Sequence, residues 1–333
     1  MKYFFTFLFL IFFSNYSFAD YNVMGAGATF PYGAYTSWAY FYNKDTKVRV
    51  NYQGIGSGGG IRQVTAETVD FGASDDPLSH ENIIKNNFIQ FPALIGGVVI
   101  IVNIDGIKEN QLILTAEIIS DIYMGKITKW NDAKIVKLNA NLKLPNDNIT
   151  VVSRSDSSGT TAIFTNYLYE NSKEWAENMG KGKSINWKKG ISGKGNDGVA
   201  SYVKQIKNSI GYVEFAYAKS NNIAYTKLIN KSGYTVSPTT ESFSEAAKNA
   251  KWDKNSSYSL FITNSEGEKS WPISGATFII VSKNRQKSLI KTYKFFEWSF
   301  NNGDKIATEL FYVPLPKSLQ EEIKTYVKGY IKN

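Results

Sequence analysis

The sequence predicts an α/β fold of two lobes joined by crossing strands, and three observations carry that expectation. Short β-type segments alternate with segments of helical spacing, which implies mainly parallel sheets. The 333 residues suffice for two hydrophobic cores, yet no linker rich in Pro, Gly or Ser separates them. Two apolar runs, residues 93–103 and 273–281, have the composition of buried strands able to make the connection. Residues 98–102 and 274–280 are the crossing candidates. A hinge of this kind leaves a ligand cleft between the lobes, at the carboxyl ends of strands.

At the N-terminus, Lys2 precedes an apolar run over residues 4–13 broken only by Thr6, and Ser17-Phe18-Ala19 fits the small-x-small cleavage rule. Residues 1–19 therefore read as a signal peptide, with Asp20 as the mature N-terminus. A membrane anchor is the alternative, but the run is too short to cross a ~30 Å hydrocarbon core. The chain has no cysteine, which removes disulfides and the acylated cysteine of bacterial lipoproteins. A soluble, periplasmic protein is expected.

The net charge of +9 falls to +8 when Lys2 is removed. The lysines are scattered, as in Lys181-Gly182-Lys183 and Lys188-Lys189, and no helix interleaves a basic stripe with aromatics, so nucleic acid is not an expected partner. The abundant aromatics suit a well-packed fold and carry no functional message at this level.

Along the chain, residues 48–52 read as a strand leading into Gly54-Ile55-Gly56-Ser57-Gly58-Gly59-Gly60 and then a helix through Ile61, Val64 and Thr65. Asp70-Phe71-Gly72-Ala73 is a short strand ending at Ser74-Asp75-Asp76-Pro77. Residues 115–124 have helical spacing through Ile118, Ile119 and Ile122, and residues 198–206 repeat it before the strand Ile210-Gly211-Tyr212-Val213. Ser242-Phe243-Ser244-Glu245 is a capping box before Ala246-Ala247. Ser318-Leu319-Gln320-Glu321 opens a final helix through Ile323 and Val327.

Four segments could carry chemistry. Arg154-Ser155-Asp156-Ser157-Ser158-Gly159-Thr160 puts an arginine, hydroxyls and a flexible backbone at the start of a helix opening with Thr161-Ala162-Ile163-Phe164. Helix-start amides lack partners and carry partial positive charge, and an arginine fork matches a tetrahedral oxyanion. The second segment, Gly54 to Gly60, offers Ser57 and nearby amides to an anion. Its Gly-x-Gly-x-x-Gly match permits a dinucleotide fold. That reading is set aside because Asp75 and Asp76 end no obvious second strand of a compact ribose site, and a secreted protein could not regenerate such a cofactor. A Gly-rich turn without a ligand is the remaining alternative. No Gly-Lys-Ser/Thr follows, so the segment is not a nucleotide P-loop.

The third segment is Gly25-Ala26-Gly27-Ala28-Thr29-Phe30-Pro31, where Pro31 suits a first helical turn and Thr29 either caps the helix or offers its hydroxyl to a ligand. The fourth is Ser74-Asp75-Asp76-Pro77. A carboxylate aimed at an anion is repulsive unless the anion carries a proton; hydrogen phosphate does near neutral pH and sulfate does not. Enzyme constellations have little material. His80 is the single histidine and reads as an exposed helix-start residue, so a Ser-His-Asp triad or a His-rich metal site has little material. Asp156 reads as an ion-pair partner that orients Arg154, with a role as a base the alternative.

These four segments together resemble the periplasmic phosphate-binding proteins of phosphate-specific transport (Pst) ABC importers. The similarity continues through residues 95–103, Ser192-Gly193-Lys194-Gly195-Asn196-Asp197-Gly198 and residues 210–218, nearly the whole mature chain. The resemblance implies a type II periplasmic-binding-protein fold, a two-lobed Venus flytrap with residues 20–100 plus 274–333 in lobe 1 and 101–273 in lobe 2. It implies that Thr29, the amide of Phe30, Ser57 and Asp75 from the first lobe hold phosphate with Arg154, Ser158, the amide of Gly159 and Thr160 from the second. Asp156 matches the residue that pairs with the arginine. The family pattern Ser-Asp-x-Pro selects Asp75, while Asp76 directly after it leaves a role for that residue open. The implied protein is a monomer without catalysis, cofactor or metal that delivers phosphate to an inner-membrane ABC permease and ATPase. Two other functions are weighed: a receptor for sulfate or molybdate, which an acceptor carboxylate disfavours, and a secreted phosphatase or phosphotransferase with Ser57 or Ser158 as nucleophile.

Overall fold

The structure, a computed structural model, describes residues 23–248 and 250–332. The expected signal peptide, residues 1–19, and its cleavage after Ala19 lie outside the described residues.

Strands β1 (Val23–Gly27), β2 (Val50–Gly54), β3 (Phe71–Ser74) and β4 (Phe88–Asn103) come first. They are followed by β5 (Ile113–Leu114), β6 (Thr150–Arg154), β7 (Ile191–Gly193), β8 (Ser209–Glu214), β9 (Ala224–Tyr225), β10 (Lys227–Ile229) and β11 (Thr235–Val236), and β12 (Ser274–Ser282) is last. Among the described residues, one large sheet runs β2-β1-β3-β12-β4-β8-β6-β7 with β9 beside β4, and β5, β10 and β11 form a small separate sheet.

The long strand β4 links the two halves. Its first part, up to Gly97, pairs with β12, and its second part, from Val98, pairs with β8. Every residue but the last is buried, which is why the sequence there shows a continuous apolar run and no alternation. The crossing candidate 98–102 lies in the second part. Residues 274–280 lie in β12, which pairs with β3 and the first part of β4 and does not itself extend into the other half. The chain enters it at Ile273, whose carbonyl accepts from Val98 N–H at 2.9 Å.

The flanks of the sheet are parallel, β2-β1-β3 on one side and β8-β6-β7 on the other. The middle pairings, β3 with β12, β12 with β4 and β4 with β8, are antiparallel, so the expected mainly parallel sheet holds only in the flanks. The reason is topological. β4 carries the chain from the first half to the second, and β12 follows its return, so the two run in opposite directions.

Local boundaries differ from expectation in two instructive places. The helix expected from residue 198 begins earlier, at Gly195–Gln205. Gly195 has φ 72°, a left-handed conformation that a residue with a Cβ rarely adopts. The helix assigned a cap at Ser242 spans Thr240–Lys248. Its reciprocal pair is Thr239 and Ser242: Ser242 N–H donates to Thr239 Oγ1 at 3.1 Å, and Thr239 N–H donates to Ser242 Oγ at 2.9 Å. Glu245 pairs with Lys248 instead. The same Ser/Thr spacing occurs twice in register here, and the earlier copy forms the cap.

Candidate functional site

Six strand ends meet between the two halves of the sheet. β1 ends two residues before Thr29, β2 three before Ser57, β3 immediately before Asp75, β6 at Arg154, β7 three before Asn196, and β8 at Glu214. The carboxyl ends of strands are where loops are free to carry function in such sheets. Four helices also begin here: Tyr32–Thr46, Ser57–Thr65, Gly159–Asn171 and Gly195–Gln205. Their N-terminal dipoles place partial positive charge around one point.

Thr29 does not cap a helix. Helix Tyr32–Thr46 has Pro31 at its cap position and no side-chain cap. Thr29 Oγ1 accepts instead from Asn196 across the cleft, from its N–H at 3.2 Å and its Nδ2 at 2.8 Å. The backbone here is pinned by three tyrosines. The hydroxyls of Tyr52, Tyr217 and Tyr312 donate to the successive carbonyls of Ala28, Thr29 and Phe30 at 2.6, 2.6 and 2.7 Å. Burial pushes all three phenols above their ordinary range, so they stay donors. Among the described residues, Phe30 N–H makes no hydrogen bond within the protein.

Ser57 opens its helix directly after Gly56, at φ 85°. Its Oγ accepts from Asp75 N–H at 3.2 Å and from Gly159 N–H, contributed by the opposite half, at 3.0 Å. With both lone pairs engaged, the Ser57 hydroxyl hydrogen is left to donate. The Gly159 amide, expected to face a ligand, is thus directed at Ser57. Ser158 is the cap of helix Gly159–Asn171: its Oγ accepts from Thr161 N–H at 3.0 Å and keeps its own hydrogen to donate. Thr160 Oγ1 accepts from Asn196 Nδ2 at 3.2 Å and likewise retains a donor.

Asp75 is 1% exposed and Arg154 4%. Neither oxygen of Asp75 has a hydrogen-bond partner, and neither does Arg154 Nη1. The other two guanidinium nitrogens are committed: Nε and Nη2 donate to Asp156 Oδ1 and Oδ2 at 2.8 and 2.6 Å. Burial pushes Asp75 up to about 8; the Thr277 hydroxyl and the Arg154 charge pull it down, and neighbouring Asp76 pushes it up again. Burial also acts to raise Asp156, but the Arg154 fork and the Gly195 N–H together hold it below the ordinary carboxyl range. Asp156 thus engages two of the three guanidinium nitrogens of Arg154. Asp76 is turned to Lys183 from the opposite half, in a partly exposed ion pair. Asp75 is therefore the carboxylate aimed inward.

Thr29, Phe30, Ser57, Asp75, Arg154, Ser158, Gly159 and Thr160 are all brought to one place. Their uncommitted groups are several hydroxyl donors, one amide, one guanidinium N–H and one buried carboxylate. Such a set can enclose a small tetrahedral oxyanion that carries a proton for the carboxylate. Sequence reasoning missed Asn196, which joins Thr29 to Thr160, and the three tyrosines that hold the Ala28–Phe30 backbone. The signal for Asn196 was its place in Ser192–Gly198, just after a strand and at a helix start. For the tyrosines no local signal existed.

Close approach of the halves depends on glycine. A Cβ on Gly159 would lie 2.6 Å from Asp75 Oδ2 and 2.7 Å from Asp75 Cβ, while the helix start itself would accept it. Gly159→Ala is expected to leave the thermal midpoint of the ligand-free protein nearly unchanged. Overpacking of roughly 1–3 kcal/mol would fall on closure alone and weaken anion binding about tenfold to a hundredfold. Calorimetric titration beside thermal unfolding checks this; an unchanged affinity would mean the halves need not approach so closely.

A family model described as the PBP superfamily domain matches residues 17–302. The phosphate-binding protein PstS of Haemophilus influenzae is 50% identical over 313 residues, covering 93% of this chain and 94% of that protein. The phosphate-binding protein PstS of Pasteurella multocida is 50% identical over 314 residues, covering 94% and 91%. Among solved structures, a phosphate-binding protein from Stenotrophomonas maltophilia matches with a TM-score of 0.66 at 20% identity, over 91% of this chain and 93% of that one. That likeness shows the fold, which is the type II periplasmic-binding fold.

Proposed function

Because this chain belongs to the PstS family of phosphate-binding proteins within the PBP superfamily, we propose that the buried donors between its two sheet halves are its phosphate site. The protein binds inorganic phosphate and serves an ABC importer as the substrate-binding component. Residues 20–100 with 274–333 form lobe 1 and residues 101–273 form lobe 2. Phosphate is held by the Thr29, Ser57, Ser158 and Thr160 hydroxyls, the Phe30 amide, Arg154 Nη1 and Asp75. Gly159 brings the lobes together through Ser57 and adds its amide once that contact loosens around the anion. The protein works as a periplasmic monomer, needs no cofactor, and hands phosphate to a membrane permease and ATPase. Among the described residues, no helix is long and apolar enough to cross a membrane.

The observation that carries the site assignment is Asp75, buried with both oxygens unpartnered opposite an unpartnered Arg154 N–H. An ionised carboxylate there opposes closure until a ligand supplies a proton, so closing is conditional on ligand chemistry. A sulfate or molybdate receptor has no use for such a group. The phosphatase alternative also finds little support: both candidate nucleophiles, Ser57 and Ser158, have their oxygens engaged by backbone N–H groups, and the single histidine, His80, pairs with Ser257 at 3.0 Å.

Calorimetric titration of phosphate-stripped protein tests the proposal. Phosphate is expected to bind tightly, arsenate to compete as a protonated mimic, and sulfate to fail at the same concentration. Incubation with a phosphomonoester should release no phosphate. Steady turnover would replace the receptor with an enzyme.

A further inference from the structure

Resting on the phosphate-site assignment above, we propose that Asp76 and Lys183 form a latch at the mouth of the cleft, a charge pair that holds the two halves together over bound phosphate and slows its release.

The pair joins the halves at the edge of the site. Asp76 directly follows the buried Asp75, at the end of β3 in the first half. Lys183 lies between helix Lys173–Asn178 and β7, in the second half. Its Nζ donates to Asp76 Oδ2 across 107 positions of sequence. The Lys183 and Asp76 side chains are 27% and 19% exposed, whereas Asp75 and Arg154 are almost wholly buried, so the pair sits where the site meets water. Surface pairs such as Lys126 with Glu174 and Lys207 with Asp105 stay within one half.

Each end of the latch is anchored inside its own half. The Ser74 hydroxyl accepts from Asp76 N–H at 3.2 Å and donates to the Asp76 carbonyl at 2.6 Å. Gln90 of β4 fixes the next turn, accepting from Leu78 N–H at 2.8 Å and donating to the Leu78 carbonyl at 3.2 Å. On the other side, the Lys183 carbonyl accepts from Ser158 N–H at 2.9 Å. Gly182 N–H donates to Thr165 Oγ1 at 3.0 Å, and Lys181 Nζ donates to Asn166 Oδ1 at 2.8 Å. The Lys183 loop is thereby fixed to helix Gly159–Asn171, whose start supplies Ser158, Gly159 and Thr160 to the site. Separating the halves breaks the ion pair and leaves all of these anchors intact.

The energetic consequence follows from that arrangement. A partly exposed ion pair adds little to folding. Here its whole worth falls on the closed arrangement, because the open one lacks it. Charge balance gives Lys183 a second effect. Arg154 is already committed to Asp156, and Asp75 and Asp76 stand side by side where an anion enters. Lys183 neutralises the outer carboxylate, so the oxyanion meets one uncompensated negative charge there and not two.

Stopped-flow measurement of phosphate release, with association measured in parallel, tests the latch. Asp76→Asn is expected to speed release about two- to fivefold, the range of a partly exposed pair, with association no slower. Lys183→Gln should speed release to at least that degree and also slow association, because it leaves the Asp76 carboxylate uncompensated. The double variant should release about as fast as Asp76→Asn alone, and Lys183→Arg should keep release slow. The ratio of variant to wild-type release should shrink toward one as salt rises from about 0.1 M to about 1 M, where the Debye length falls to about 3 Å. A packing role would show no such salt dependence. Release factors that multiply in the double variant would make the two residues independent and overturn the latch. So would release unchanged from wild type in both single variants at low salt. Wild-type protein that binds no phosphate would sink the site assignment and the latch with it, whereas normal binding with unchanged release sinks the latch alone.

Discussion

Asp75→Asn is expected to admit sulfate at neutral pH while weakening phosphate binding far less. An Asp75 carboxyl exposed to water by opening of the cleft is expected to titrate near the ordinary carboxyl value of ~3.9. In the closed cleft burial raises it to about 8, even before a second negative charge arrives. Sulfate brings no proton, so its closed complex requires Asp75 to take one from solvent. At pH 7 that costs roughly 4 kcal/mol, about three decades of affinity, at 1.36 kcal/mol per pH unit. The sign follows from a pKa raised on closure. The penalty is absent below the open-state value and grows tenfold per unit as pH rises above it. Wild-type sulfate affinity should therefore climb about tenfold for each unit of pH decrease between 7 and 4 and then level off. Phosphate carries its own proton and should change much less. In Asp75→Asn the sulfate profile should be flat and lie near the acid limit of the wild type. Titration calorimetry in buffers of different ionisation enthalpy reads both the affinity and the proton taken up. A wild-type sulfate affinity that is flat from pH 7 to 5, or continued exclusion by Asp75→Asn, would remove the acceptor from the mechanism.

Arg154→Ala should cost phosphate affinity more than the loss of any single hydroxyl. Among the described residues the guanidinium is the one buried cation in the site, two of its nitrogens are locked to Asp156, and the third has no partner in the protein. Removing one partner of a buried ion pair leaves the other charge uncompensated, at about 3–5 kcal/mol. Here the stranded charges are Asp156 and the bound anion. The expected loss is roughly a hundredfold to several thousandfold. Arg154→Lys should not rescue it, because one ammonium cannot hold both carboxylate oxygens of Asp156 and still point a fixed N–H at a ligand. The double variant Arg154→Ala with Asp156→Asn should recover part of the loss, by removing the carboxylate left without its cation. An affinity within a few fold of wild type in Arg154→Ala would take the arginine out of the site.

Much of the site was legible because its residues sit where local rules are strict. A strand ends, a glycine or hydroxyl residue follows, and a helix begins; this happens at Thr29, Ser57 and Ser158, each within a few residues of a strand. Arg154 and Asp156 are two residues apart, so their pairing is nearly a local event. What was not legible involves partners far along the chain. Asn196 reaches Thr29 across 167 positions, and Tyr312 reaches Phe30 across 282. The aromatics, expected to serve packing alone, include three tyrosines whose hydroxyls pin the backbone that carries the Phe30 amide. Buried tyrosines need hydrogen-bond partners, but which carbonyl each finds depends on the packing of a whole half of the sheet.

The sequence by itself determined the α/β class, the strand-to-helix turns that carry the site and the residues offered to an anion, because each depends on neighbours within one turn or one strand. It also raised the requirement for a protonated ligand, through the carboxylate at Ser74-Asp75-Asp76-Pro77. Only the tertiary structure decided which of the two adjacent carboxylates faces inward. It turned Asp76 to Lys183 and buried Asp75 with neither of its oxygens partnered. It also made the middle of the sheet antiparallel, since β4 leads away from the first half and β12 follows the return. Burial and long-range register set those outcomes, and neither is a property of a short stretch of chain.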